Sequence, residues 1–312
     1  MNATVLIKSG TFLFALFAAL APACAQPGRA HADEDCGEIE RNYDMIKAEA
    51  VSLQTNIALF AAADRGCEAL AQKLLDAGAS LLARDRHGTT PLAHAARSGQ
   101  PKLVEFFLAK GAPIDARGVD GGTPLLAATE SEKHSTVALL LAKGADPNLS
   151  GHQGITPLIA AAYKGNERIF DALFARGAKP DAHDETGKSA MVYAAARGFD
   201  EIVRRLLEAG IDARERYGND LTALMWAAGH DEGVGVAAVA RVVDLLQSHG
   251  APINDADNRG RTALMIAAGL GDTAVVDLLL HRGANRMLKD KQGKTALDLA
   301  ANAEVRTKLL GK

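Results

Sequence analysis

Large rings are scarce in this chain: one Trp, four Tyr and nine Phe among 312 residues. That excludes a compact interior filled by aromatics. Charge of one sign is missing as well, with 38 acidic against 35 basic side chains and a net charge of −3. Neutralising a phosphate backbone requires a cation excess, so nucleic acid is excluded as a partner by composition. No apolar run reaches the roughly 20 residues of a membrane span. Three cysteines rule out a disulfide-dense scaffold. The nine histidines show no His-x-x-x-His spacing and no Cys-x-x-Cys accompanies them, so no metal site is expected. A Gly-x-Ser-x-Gly elbow is absent too, which leaves no catalytic residues and no cofactor to assign. In place of these features stands alanine, roughly a fifth of the chain, which suits thin helices in close contact.

The first 25 residues read as an export signal. Lys8 precedes the apolar stretch Thr11–Leu20, and Ala21-Pro-Ala-Cys-Ala25 offers a small-x-small cleavage site. Cleavage after Ala25 leaves no segment for membrane insertion. The short, Ala-rich leader is of bacterial type and points to the periplasm. Acylation of Cys24 is the alternative, disfavoured because Ala21 stands where such signals carry a large aliphatic residue.

Removal of Cys24 leaves Cys36 and Cys67 in a compartment where disulfides persist. The simplest reading pairs them, closing a loop of about 30 residues and pinning the N-terminal arm to the first repeat. Two independent buried thiols are the other reading.

A 33-residue period organises the remainder. Thr90-Pro-Leu, Thr123-Pro-Leu and Thr156-Pro-Leu stand 33 residues apart, continued by Ser189-Ala-Met, Thr222-Ala-Leu, Thr262-Ala-Leu and Thr295-Ala-Leu, and preceded by Ile57-Ala-Leu. Gly78, Gly111, Gly144, Gly177, Gly210, Gly250 and Gly283 keep the same beat. The one longer interval, from Thr222 to Thr262, carries seven extra residues, placed at Gly229–Gly235. Where Thr stands at this position its hydroxyl caps a first helix whose N1 residue is Pro or Ala, and the first repeat, with Ile57, lacks the cap. Leu92, Ala95 and Ala96 share one face, and Ser98-Gly99 ends that helix. Leu103, Val104, Phe107 and Leu108 stripe a second helix, and Gly111 sits where the helix stop needs a positive φ. Two such helices cannot bury their apolar faces alone, so neighbouring repeats must supply the core.

These motifs resemble the ankyrin repeat: Gly two residues before the cap (Gly88, Gly121, Gly154, Gly187, Gly260, Gly293), paired alanines, paired leucines and the Gly-Ala stop. The resemblance spans about residues 55 to 312. It implies an all-α ankyrin-repeat solenoid of about seven full helix-turn-helix units plus a partial C-terminal cap, the units starting near 57, 90, 123, 156, 189, 222, 262 and 295. Hairpin turns would project between units. The family often has His directly after Thr-Pro-Leu; here Phe60, Ala93, Leu126, Ile159, Val192, Met225, Met265 and Asp298 stand there. Apolar contact is expected to replace that hydrogen bond. Residues 26–54 form an arm and a capping helix over 37–54, with Ile39, Met45 and Ile46 covering the open end of the first repeat.

Between repeats the framework recurs while the turn tips and one side of the first helix vary, as a binding surface on a rigid scaffold requires. By the same resemblance, another protein is gripped by the hairpin tips and the concave helix face. On that face lie His94/Ser98, Ala160/Lys164, Tyr193/Arg197 and Trp226/His230, with Arg97, Tyr163 and Ile266 beside them and Arg86, His87 and Gln153 at the tips. Tyr193 and Trp226, at equivalent positions of consecutive repeats, have the composition of an interface hot spot; packing between helices is the competing use of that column. The chain is thus read as a non-enzymatic, exported protein-binding scaffold, suited to inhibiting a secreted enzyme or giving immunity to it. A multi-partner assembly scaffold is the first alternative. A glycan binder or enzyme is the second, and tips with few aromatics beyond Tyr217 speak against it.

Overall fold

A computed structural model describes residues 29–47 and 52–311. The leader at 1–25 and Cys24 lie outside them. The described residues divide into two compact halves, one ending at Lys179 and the other beginning at Pro180.

The N-terminal half opens with α1 (Arg29–Ile46) and then repeats a helix pair four times: α2 (Ser52–Arg65) with α3 (Glu68–Asp76), α4 (Pro91–Ser98) with α5 (Pro101–Ala109), α6 (Pro124–Glu130) with α7 (His134–Ala142), and α8 (Pro157–Lys164) with α9 (Glu167–Phe174). First helices pack on first helices and second on second, so adjacent pairs of this half stack on one another. The residues buried between them are small or branched: Leu92, Ala95 and Ala96 from α4, Leu103, Val104 and Phe107 from α5, Leu125 and Ala128 from α6. Alanine permits the close approach, which is why so few rings fill the interior.

Thr90, Thr123 and Thr156 cap α4, α6 and α8 as the sequence predicts, each hydroxyl accepting the backbone N–H three residues on at 3.2 to 3.3 Å. Gly99 closes α4 with φ +72° and Gly111 follows α5 with φ +90°. Between repeats, Arg84 donates to the Arg117 carbonyl and Arg117 to that of Ser150, each 33 residues further along. This arginine-to-carbonyl ladder ties successive turns together.

The C-terminal half contains α10 (Ala190–Ala196) with α11 (Asp200–Glu208), α12 (Ala223–Ala228) with α13 (Val236–Ser248), α14 (Ala263–Leu270) with α15 (Thr273–His281), and the short α16 (Ala296–Leu299) with α17 (Ala303–Leu309). One turn forms a two-stranded hairpin, β1 (Arg216–Tyr217) against β2 (Leu221–Thr222), a small departure from an all-α chain. The seven extra residues are not all loop. α13 is 13 residues long where α11 and α15 have nine, so part of the insertion lengthens a helix.

Cys36 and Cys67 form a disulfide with Cα atoms 5.7 Å apart, joining α1 to the turn before α3. The expected helix over 37–54 is shifted: α1 ends at Ile46 and Ser52 already begins the first repeat. Its covering residue is Tyr43, which is buried, while Met45 and Ile46 are exposed. Helical phase explains this correction. At 3.6 residues per turn, Tyr43 returns to the face of Cys36, whereas Met45, nine residues after the cysteine, points the opposite way.

Candidate surface on the first helices and turns

The turns place their side chains through one recurring device. An aspartate five residues before the helix cap, at 85, 184, 257 and 290, is buried or nearly so and turns Oδ1 toward two backbone amides. Asp85 Oδ1 accepts from His87 and Thr89, both at 2.8 Å. Asp184 Oδ1 accepts from Thr186 at 2.8 Å and Lys188 at 3.0 Å. Its second oxygen then faces the residue nine positions later, the fifth in the Thr-Pro-Leu count. Tyr193 donates its hydroxyl to Asp184 Oδ2 at 2.6 Å, and His94 Nε2 lies 3.2 Å from Asp85 Oδ2.

In the C-terminal half, fixing the Asp184 turn also fixes Lys188. Its ammonium lies 5.7 Å from the Tyr193 ring centroid and 5.4 Å from that of Trp226. Both rings are half-buried, and a cation over two aromatic faces is held by their quadrupoles. Trp226 belongs to the repeat whose turn has Tyr217 in place of the aspartate, and its buried Nε1 has no hydrogen-bond partner among the described residues. One repeat further, Asp257 Oδ2 is likewise without one, because Ile266 stands nine residues on and offers no donor.

The insertion turn is anchored beside these rings. Asp231 N–H donates to the Ala196 carbonyl at 3.0 Å, and His230 sets its ring nitrogens 2.8 Å from the Asp231 carbonyl and 2.9 Å from Asp272 Oδ2. The Arg197 guanidinium is 3.9 Å from Asp231 and 5.8 Å from the Phe199 ring centroid. Tyr193, Arg197, Trp226 and His230 are therefore neighbours on one connected piece of structure, with Lys188 among them. Lys188 and Asp184 were missed by sequence reasoning, although the recurrence of Asp five residues before the cap marks them.

Three expected surface positions are core instead. Ile266 and His94 are each 6% exposed and Ala160 is 2% exposed, so none presents its side chain to a partner. His94 stacks on Phe60 with centroids 5.0 Å apart and places Nδ1 3.1 Å from both Asp64 oxygens. It joins two repeats, one position after the apolar Ala93 that replaces the family histidine. Burial works against ionisation of Asp64, yet His94, Ser98 and Arg97 together hold its carboxyl below the usual range. Asp85 is also held low, its backbone amides and His94 outweighing burial.

Elsewhere in the N-terminal half Arg97, Arg86, His87 and Lys164 are exposed and Tyr163 and Gln153 half-buried. Arg97 contacts His94 and Asp64, and Arg86 Nε is 2.9 Å from His87 Nε2. Surrounding protein and the Asp120 carboxylate push the Glu130 carboxyl up, to about 7, against the pull of Lys164. The Glu130 side chain still reaches water, which screens much of that effect. In the buried Tyr217, loss of water raises the phenol. No group of three or more His, Cys, Asp and Glu side chains able to hold a metal occurs among the described residues.

The comparisons agree with this architecture. A family model described as ankyrin repeats (3 copies) matches residues 42–118, 59–151, 111–184, 158–236 and 234–311. The crystal structure of the human ASB11 ankyrin repeat domain is similar, with a TM-score of 0.63 and 27% identity over 71% of this chain and 97% of that one. No curated protein matches the chain. With the repeat model covering nearly every described helix, the chain belongs to the ankyrin repeat family.

Proposed function

We propose that this protein is an exported scaffold that grips another protein through the Tyr193–Lys188–Trp226 surface and thereby restrains a secreted or periplasmic enzyme. Ankyrin repeats suggest a protein–protein interaction scaffold as the general class. The observation that carries the reading further is the pair of half-buried rings bracketing Lys188. Large rings beside charged side chains at a scaffold surface are the usual content of a hot spot. Arg197, His230 and the insertion turn extend the same surface. The leader read as an export signal and the Cys36–Cys67 bridge both support a periplasmic setting, where such a bond persists.

Crosslinked pull-down from the periplasm tests it. Wild-type protein captures a hydrolase or toxic effector and lowers its activity, whereas Trp226→Ala with Tyr193→Ala captures nothing and keeps wild-type helicity. Equal capture by both proteins rejects this surface. Mass spectrometry of the exported protein, expected to begin at Gln26, tests the leader.

A further inference from the structure

We infer that the last two inter-repeat turns form a basic edge that binds a carboxylate-rich segment of the partner protein, through Arg259, Arg261, Lys289, Lys291 and Lys294. The inference rests on the protein-binding reading and adds the chemistry of what is bound.

The backbone sets these cations side by side. Lys291 N–H donates to the Arg259 carbonyl at 2.9 Å, so the tip of one turn lies directly on the next. Of the three acids in these turns, Asp255 is taken up by Arg216 and the other two face inward. Asp257 and Asp290 are 5% and 7% exposed. Asp257 Oδ1 accepts from the amides of Arg259 at 2.9 Å and Arg261 at 2.7 Å, and Asp290 Oδ1 from those of Gln292 and Lys294, both at 2.9 Å. With the carboxylates committed to the backbone, the outward charge of the edge is positive.

Elsewhere in the C-terminal half several cations have acidic partners, while Lys188 lies over two rings and Arg214 and Arg286 donate to backbone carbonyls. Arg204 pairs with Glu201 and Glu208, Arg216 with Asp255, Arg241 with Asp200, Arg282 with Asp244 and Lys308 with Asp277. At the edge the pattern changes. Lys289, Lys291 and Lys294 are exposed; Lys289 has the Asp298 carboxylate in its field, whereas the ammonium groups of Lys291 and Lys294 make no hydrogen bond or ion pair among the described residues. Arg259 reaches only Asp257, at 3.7 Å. Arg261 is half-buried, with its Nε shut off from water and from any acceptor, and its guanidinium makes no ion pair among the described residues, which leaves the terminal nitrogens for a partner. A guanidinium with open donors suits a carboxylate, which it grips through paired N–H groups. A nucleic acid is the poorer occupant. Neither turn, residues 252–262 or 284–295, contains an aromatic ring on which a base could stack, and the only exposed large apolar side chain beside the cations is Met287, which fits an apolar side chain of a peptide.

The test uses the whole exported protein with three fluorescent probes: a twelve-residue peptide rich in Asp and Glu, its Asn/Gln counterpart, and an oligothymidylate. The acidic peptide binds, binding weakens as salt rises, and Arg261→Gln/Lys291→Gln/Lys294→Gln weakens it about tenfold with unchanged thermal unfolding. The neutral peptide does not bind, and Lys102→Gln/Lys110→Gln, in the other half, has no effect. Tighter binding of the oligonucleotide, no binding of the acidic peptide, or acidic-peptide binding indifferent to the triple variant overturns the inference. Capture of the periplasmic partner separates the two readings. If Trp226→Ala/Tyr193→Ala abolishes capture and the triple variant does not, the scaffold reading stands and the acidic segment falls; if neither variant affects capture, both fall.

Discussion

Tyr193 donates its hydroxyl to Asp184, nine residues earlier, across 2.6 Å, and in doing so locks a projecting turn to the helix after it. Tyr193→Phe removes the donor and leaves a buried carboxylate oxygen unpaired, for a loss of about 1–3 kcal/mol. Asp184→Ala costs more, because the amides of Thr186 and Lys188 lose their acceptor too. Equilibrium urea unfolding of the two variants checks the order; equal losses would deny Asp184 its second role.

Acid should loosen the N-terminal half. Asp64 and Asp85 are held below their ordinary values when folded, so the stability they contribute is present above the unfolded value, about 3.9, and disappears as pH falls through the lower folded one. Asp64 is about a third exposed, which screens part of its share. Asp64→Asn/Asp85→Asn lowers stability at pH 7 and narrows the fall between pH 5 and pH 3, as urea midpoints across that range will report.

Reduction should free α1. Its pairings Arg65–Asp35, Lys73–Glu40 and Lys73–Asp44 are partly exposed and worth little individually, and Tyr43 is its one buried side chain among those described. The Cys36–Cys67 bond is thus the main tether, worth about 3–4 kcal/mol for a loop of this size. Cys36→Ser leads to rapid hydrogen exchange in α1 with little change in the repeats from α4 onward; protection retained in α1 would contradict this.

Gly198 is the position where the insertion region tolerates no side chain. Its φ is +71°, and an added Cβ would stand 2.8 Å from Ala238 and 2.9 Å from Val234. Gly198→Ala combines left-handed strain with a clash, and costs about 2 kcal/mol or more. Gly210→Ala, where φ is +91° and the space is open, costs about 1 kcal/mol. Thermal unfolding of the pair separates strain from contact.

Repetition makes most of the fold readable from the amino acids. Thr90, Gly99, Pro101 and Gly111 start and stop helices through bonds made within a few residues of themselves, so local chemistry suffices to locate them. The cysteine pairing is readable as well, once only two candidates remain. The rotation of α1 is not, since Ile39, Tyr43, Met45 and Ile46 are all apolar enough to face a neighbour and the bond from Cys36 chooses among them.

The surface depends still more on tertiary contact. His94, Tyr193, Trp226 and Ile266 hold one place in the repeat, yet two are core and two are half-buried. The turn nine residues earlier supplies an aspartate to three of them and Tyr217 to Trp226, yet those three divide between core and half-buried, so the neighbouring helices set their burial. By itself the sequence determined the period, the helix ends and the family, because those rest on short-range hydrogen bonds and backbone geometry. Which side chains remain for a partner was decided only by stacking, because burial is a property of neighbours far away along the chain.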